Sequence, residues 1–119
     1  MGKMTEKDWI ETGILIFESE DPDFEKAVYC FKKALKKNSK NSETWNLLGK
    51  SYYRLKNDEM ALQCLEKALE IDSNNHNIWI DKGTILANKN LKEASKCFEK
   101  ALELDHTSNK LNKIINAFK

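Results

Sequence analysis

Proline is nearly missing from this chain. Pro22 stands alone among 119 residues, and there are only four glycines. So sparse a set of breakers suits a mostly helical protein with short connections. Long apolar runs are missing too. None approaches the ~18 residues of a membrane span, and the opening stretch MGKMTEKDW has no apolar core of a secretory leader. Gly2 is followed by its hydroxyl at Thr5, one place too early for a myristoylation signal. A cytoplasmic location with no membrane contact is therefore expected by default. An excess of charge is absent as well: 20 basic residues face 19 acidic ones, for a net +1. Neutralising phosphates needs a clustered basic surface, so no nucleic acid is expected as partner. One local cluster exists, at Lys32, Lys33, Lys36, Lys37 and Lys40, and it reads as the solvated face of a helix.

The motifs of catalysis are also lacking. There is no Gly-rich phosphate loop, no nucleophile elbow and no HExxH. The acidic pair Asp58-Glu59 suits the first turn of a helix, where the dipole favours negative charge. No enzyme activity, no cofactor and no metal site is expected. Cysteine is present in an odd number, Cys30, Cys64 and Cys97, which argues against a closed disulfide framework.

What the chain does have is repetition, which must be sought before anything else. Trp9 pairs with Gly13, Trp45 with Gly49, and Trp79 with Gly83. Ala27 pairs with Ala34, Ala61 with Ala68, and Ala94 with Ala101. The gaps from Ala34 to Trp45 and from Ala68 to Trp79 are both 11 residues. Each cysteine sits three residues after one of the leading alanines. The length between glycine and first alanine varies, at 14, 12 and 11 residues in order. A loop between two fixed helices absorbs such changes.

Three helix pairs and a final helix follow. The first pair lies within about 5–40. Thr5 and Asp8 form its capping arrangement, and Pro22 sits in its turn, near the start of a second helix at about 23–37. The second pair lies within 42–75, with helices at about 42–55 and 58–71; Ser42 and Asp58 are the expected N-caps. The third lies within 76–107, with helices at about 76–87 and 91–104. A seventh helix, about 108–118, presents Leu111, Ile114, Ile115 and Phe118 as one stripe. It lacks a Trp-x-x-x-Gly pair and reads as a half-polar cap on a stacked array, closing the chain over 108–119. His76 and His106 fall in turns between units, with no ligand partner at metal spacing.

Trp45, Leu48, Gly49, Tyr52, Ala61 and Ala68 match a helix–turn–helix pattern directly. Leu65 stands where an aromatic is usual, and Ser73 where proline is. The third unit matches at Trp79, Gly83, Ala94, Phe98 and Ala101, and the first at Trp9, Gly13, Ala27, Phe31 and Ala34. Over nearly its whole length the chain thus resembles the tetratricopeptide repeat family. The resemblance implies one all-α domain: a right-handed superhelical solenoid of three helix pairs plus a C-terminal capping helix, seven helices in all. Small residues would sit where helices cross closely, and large ones would fill the spaces between. The tryptophans read as packing residues. The cysteines, about one helix-pair spacing apart, lie beyond the ~7 Å a disulfide spans and read as buried or half-buried structural thiols.

The resemblance also implies the function, which is non-catalytic binding of a partner protein through a peptide segment or a helix. The first helix of each pair would line a concave groove. Its exposed residues would be Lys7, Ile10, Ile14 and Phe17, then Asn46, Lys50, Tyr53 and Arg54, then Asn77, Ile80, Asp81 and Thr84. Tyr53 and Arg54 would be hot spots. The alternative is a self-associating unit, a homo-oligomer with the apolar face of the first pair or the last helix in its interface. Relatives that grip the acidic C-terminal tail of a chaperone use Lys, Asn, Asn, Lys and Arg. Ile10, Ile14, Leu47, Asn77 and Asp81 stand at the matching places, so a chaperone tail is not the expected partner.

Overall fold

The computed structural model describes residues 2–105 and 109–118, with backbone alone at 109–111. Among these residues there are seven α-helices and no strand: α1 (Glu6–Phe17), α2 (Phe24–Lys37), α3 (Ser42–Arg54), α4 (Asp58–Ile71), α5 (His76–Leu86), α6 (Leu91–Leu104) and α7 (Asn109–Ala117). The expected positions at His106 and Ser108 and the side chain of Leu111 lie outside the described residues. The chain divides into two compact units, Met1–Ile71 and Asp72–Lys119.

Helix starts are set by polar side chains that satisfy otherwise orphaned backbone donors. Thr5 and Asp8 form the expected capping box. The Asp8 N–H donates to Thr5 Oγ1 at 3.1 Å, and the Thr5 N–H donates to Asp8 Oδ2 at 2.8 Å. Two expected caps are displaced by one residue. Asn41, not Ser42, caps α3 by accepting from the Thr44 N–H. Asn57, not Asp58, accepts from the Met60 N–H at the start of α4. In both cases two cap-competent residues are adjacent, and the asparagine takes the place, leaving Ser42 and Asp58 as first helical residues. The tight α3–α4 turn is closed by Lys56 at φ 66°. Its N–H donates to Tyr53 O, and the Asn57 N–H reaches back to Tyr52 O. That is the double reverse bond of a Schellman ending, with lysine in the place glycine usually takes.

Within unit 1, each helix pair closes where glycine faces a large side chain. A Cβ added at Gly13 would lie 2.6 Å from Phe31 Cε1; one at Gly49 would lie 3.1 Å from Ala61 O and 3.2 Å from Leu65 Cδ2. Ala27, Phe31, Ala34, Ala61, Leu65 and Ala68 are fully buried along these crossings. In unit 2 the same contact recurs between Gly83 and Phe98. Ala94, Phe98 and Ala101 form its core, with Trp79, Leu86, Ile114 and Ile115 packed against them. The Phe118 ring stacks on Phe98 at 5.6 Å. The tryptophans are half-buried rather than central. Two of their indole N–H groups strap the preceding turn: Trp45 to Ser39 O at 2.8 Å, and Trp79 to Ser73 O at 3.0 Å.

Candidate functional site

In unit 1, α1 and α3 are tied together at both ends. Near their N-termini, Asn41 Nδ2 donates to Glu6 Oε1 at 3.0 Å, and Asn38 Nδ2 reaches the same carboxylate. At their C-termini, the Arg54 guanidinium lies 5.9 Å from the Phe17 ring centre and 4.6 Å from that of Phe24. The two rings meet edge to face at 5.3 Å. Ile10, Ile14 and Phe17 fall at i, i+4 and i+7, which is one stripe of α1; Asn46, Lys50 and Tyr53 form the corresponding stripe of α3. Phe17, the last member of the first stripe, meets Arg54, which follows Tyr53 in α3. Ile10, Ile14, Lys50 and Tyr53 are half-exposed.

One expected site residue is covered, and three others make contacts within the fold, with Arg54 still exposed. Asn46 is buried, at 2% exposure, and its Oδ1 accepts no hydrogen bond. Ile80, the counterpart of Asn46 in the next repeat, packs partly buried against the core of unit 2. The place directly after the tryptophan is thus buried in the second repeat and half-buried in the first and third, at Ile10 and Ile80. Phe17 and Arg54 are engaged with each other and with Phe24, a cation–π arrangement that braces the helix ends. In unit 2, Asp81 is half-buried, and Thr84 is exposed with its hydroxyl donating to Ile80 O at 2.9 Å.

Hollows lie elsewhere in unit 1 as well: the largest described, about 440 Å³, sits beside Trp45, Met60, Glu66 and Glu70, and two more flank α2. One groove of about 410 Å³ is lined by Trp45, Tyr52, Met60 and Cys64, with Lys32 and Lys36 on its α2 rim. A second, of about 400 Å³, lies against Trp9 and Met4 and is edged by Lys3, Lys33, Lys36 and Lys37. Sequence reasoning missed both. The available signal was the pairing of half-exposed tryptophan and methionine with the lysines of α2.

All three cysteines are buried and unpaired, as their spacing led one to expect. Burial pushes the Cys30 and Cys97 thiols up, and that of Cys64 up to about 11. None is a ready nucleophile, since the thiolate is the reactive form. Among the described residues, no group of three or more His, Cys, Asp or Glu could hold a metal ion. Among them, too, no helix is long and apolar enough to cross a membrane.

Comparison with known proteins places this geometry. Residues 42–75 and 77–107, together more than half of the chain, match two tetratricopeptide repeat family models. No curated protein matches the chain. Several solved structures share its fold. The first tetratricopeptide domain of Spaghetti (RPAP3), bound to the HSP90 peptide SRMEEVD, is 20% identical with a TM-score of 0.87, and the match covers 96% of this chain and 90% of that one. The tetratricopeptide domain of Arabidopsis OM64 is 23% identical at the same TM-score, covering 96% and 93%. That of Sgt2 from Aspergillus fumigatus is 17% identical with a TM-score of 0.85, covering 95% and 76%. The two family matches and the shared all-α helical-repeat fold give one conclusion: the chain belongs to the tetratricopeptide repeat family.

Proposed function

We propose that the chain is a non-catalytic protein-interaction module, and that the side shared by α1 and α3 is a binding face. The observation that carries this reading is the double tie between the two helices. Glu6 with Asn41 at one end and Phe17 with Arg54 at the other hold two stripes at fixed separation. Ile10 and Ile14 then offer apolar contact, and Lys50 and Tyr53 offer polar and aromatic contact, on a surface ordered before a partner arrives. Asp81 and Thr84 on α5 are further candidate contacts. The free thiols are in keeping with the reducing cytoplasm.

A chaperone's acidic tail is not the partner we propose for this face. The HSP90 peptide is bound by the RPAP3 domain, while the corresponding places here hold half-exposed Ile10 and Ile14 and an acid, Asp81. Affinity capture with the wild-type chain and with Lys50→Glu/Tyr53→Ala tests the face. Proteins held by the first and lost by the second are expected. An identical set from both would remove its support. The rival reading, self-association through Ile10, Ile14 and Phe17 or the last helix, predicts a mass that rises with concentration in light scattering. A constant monomer mass would exclude it.

A further inference from the structure

The outer side of α2 is basic beyond anything the repeat requires. Lys32, Lys36 and Lys37 are exposed and Lys33 is half-exposed. Among the described residues, none of the four is ion-paired. One repeat later the same places are Glu66, Lys67, Glu70 and Ile71. Helix α4 thus occupies the equivalent position with acids where α2 has Lys32 and Lys36, so the fold itself does not ask for lysine there. The basic ridge divides the two hollows described above. On one side lies the groove of Trp45, Tyr52 and Met60, and on the other the hollow of Trp9 and Met4. Lys36 borders both. The ammonium groups already lean on aromatic faces: Lys32 lies 5.8 Å from the Tyr52 ring centre, and Lys33 lies 5.3 Å from that of Tyr29, which is itself 56% exposed.

We propose that this second-helix surface of unit 1 binds an acidic amphipathic segment of a partner protein, distinct from whatever the α1–α3 face binds. The charge complementarity is direct. Carboxylates would pair with Lys32, Lys33 and Lys36, while apolar side chains enter the hollows on either side of the ridge. Apolar anchors give such a contact its affinity, and the rim charges its orientation and association rate. A bare polyanion would satisfy the lysines and leave both hollows unfilled.

Fluorescence anisotropy with a fluorescein-labelled 12-residue peptide of alternating glutamate and leucine tests this directly, on the full chain. Saturable binding is expected, weakened at least tenfold by Lys32→Glu/Lys36→Glu. Met60→Lys, which places a charge in the groove, should weaken it similarly. The same peptide with glutamine for glutamate should bind at least tenfold more weakly. Lys50→Glu/Tyr53→Ala should leave binding unchanged, so failure of this site and failure of the α1–α3 face are told apart. Circular dichroism verifies that each variant is folded; the two lysines are exposed, so their reversal leaves the core intact. The proposal is overturned if the peptide does not saturate, or if the Lys32/Lys36 variant binds it as well as wild type. It is overturned equally if the Tyr53 variant is the one that loses it, or if a single-stranded oligonucleotide of equal charge competes with unlabelled-peptide potency, which would make the ridge a general polyanion site.

Discussion

Substituting Gly13 by alanine is a sharp test of how the helix pairs close. A Cβ at that place would stand 2.6, 2.9 and 3.0 Å from three atoms of the Phe31 ring. Carbon atoms in contact prefer ~3.5–4.0 Å, so the ring must move by roughly 1 Å. Phe31 is fully buried, so in a close-packed interior the ring yields only by shifting its neighbours. Overpacking of this kind costs ~1–3 kcal/mol. Alanine returns ~1 kcal/mol through its better helix propensity. The expected net loss is about 0–2 kcal/mol, toward the upper end because the closest approach is 2.6 Å. At Gly49 the nearest atoms are 3.1–3.3 Å away, and a shift of a few tenths of an ångström suffices. There the propensity gain offsets the crowding, and Gly49→Ala should lie within ~0.5 kcal/mol of wild type. Because the opposing residue at Gly49 is Leu65 rather than phenylalanine, Phe31→Leu should relieve Gly13→Ala. Urea denaturation of wild type, both single variants and the double variant closes the cycle, with a favourable coupling of about 1 kcal/mol expected. Additivity within ~0.3 kcal/mol, or a larger loss at Gly49 than at Gly13, would refute the account of glycine against ring.

Four other outcomes follow from the same packing and capping contacts. Lys56→Gly should raise stability by ~1 kcal/mol, since Lys56 holds a φ of 66° that glycine adopts without strain; thermal melts showing no gain would count against the Schellman ending. Asn46→Ile removes a buried carbonyl with no donor and installs the residue found at Ile80; a gain of about 1 kcal/mol is expected, and a loss would mean that the amide is satisfied. The Thr5 N–H and hydroxyl hold the Asp8 carboxyl below its usual range. Its contribution is therefore present above the unfolded value near ~4 and lost as pH falls through the folded one. Asp8→Asn should be less stable than wild type at pH 7, and the difference should vanish in acid; a gap that persists at pH ~2 would contradict the linkage. The buried thiols should resist alkylation at pH ~8, where the neutral form dominates, until the chain unfolds. Because Cys64 stays protonated up to about 11 when folded, stability should decline as pH rises above the free-thiol value; one cysteine labelling at a free-thiol rate would refute this.

The repeat itself was legible because its period is written in buried residues, which tolerate few substitutes. Ala27 and Ala61, Cys30 and Cys64, and Ala34 and Ala68 coincide at a constant offset and are all buried. The displaced caps show a limit of local chemistry. Asn41-Ser42 and Asn57-Asp58 are each two good caps in a row, and only the backbone path chooses between them. Exposure was the harder inference. Asn46 and Ile80 follow a tryptophan and were read as outward; Asn46 is buried and Ile80, like Ile10, half-buried, because a neighbouring helix decides which edge of a stripe is covered. Arg54 likewise looked like a free hot spot until Phe24, distant in sequence, proved to be its platform. The groove of Trp45 and Met60 was invisible for the same reason. Its walls come from three helices, and no single stretch announces it.

Comparing one repeat with the next separates what the fold needs from what it merely permits. Ile78 and Ile80 on α5 show that isoleucine suits two places where α3 instead has Thr44 and Asn46. Both α3 residues are buried, and each carries an oxygen without a hydrogen-bond partner. Leaving such a group unsatisfied costs ~1–3 kcal/mol, so α3 keeps polar chemistry at the expense of stability. Asn46 lies on the stripe that continues into Lys50 and Tyr53. The opposite comparison applies outside: α2 and α4 share a buried face and differ in sign at Lys32 against Glu66 and Lys36 against Glu70. A family that builds one scaffold for many partners varies what the scaffold leaves open. In this chain those departures collect in unit 1, on α3 and along α2, and these are the two surfaces proposed here for partners.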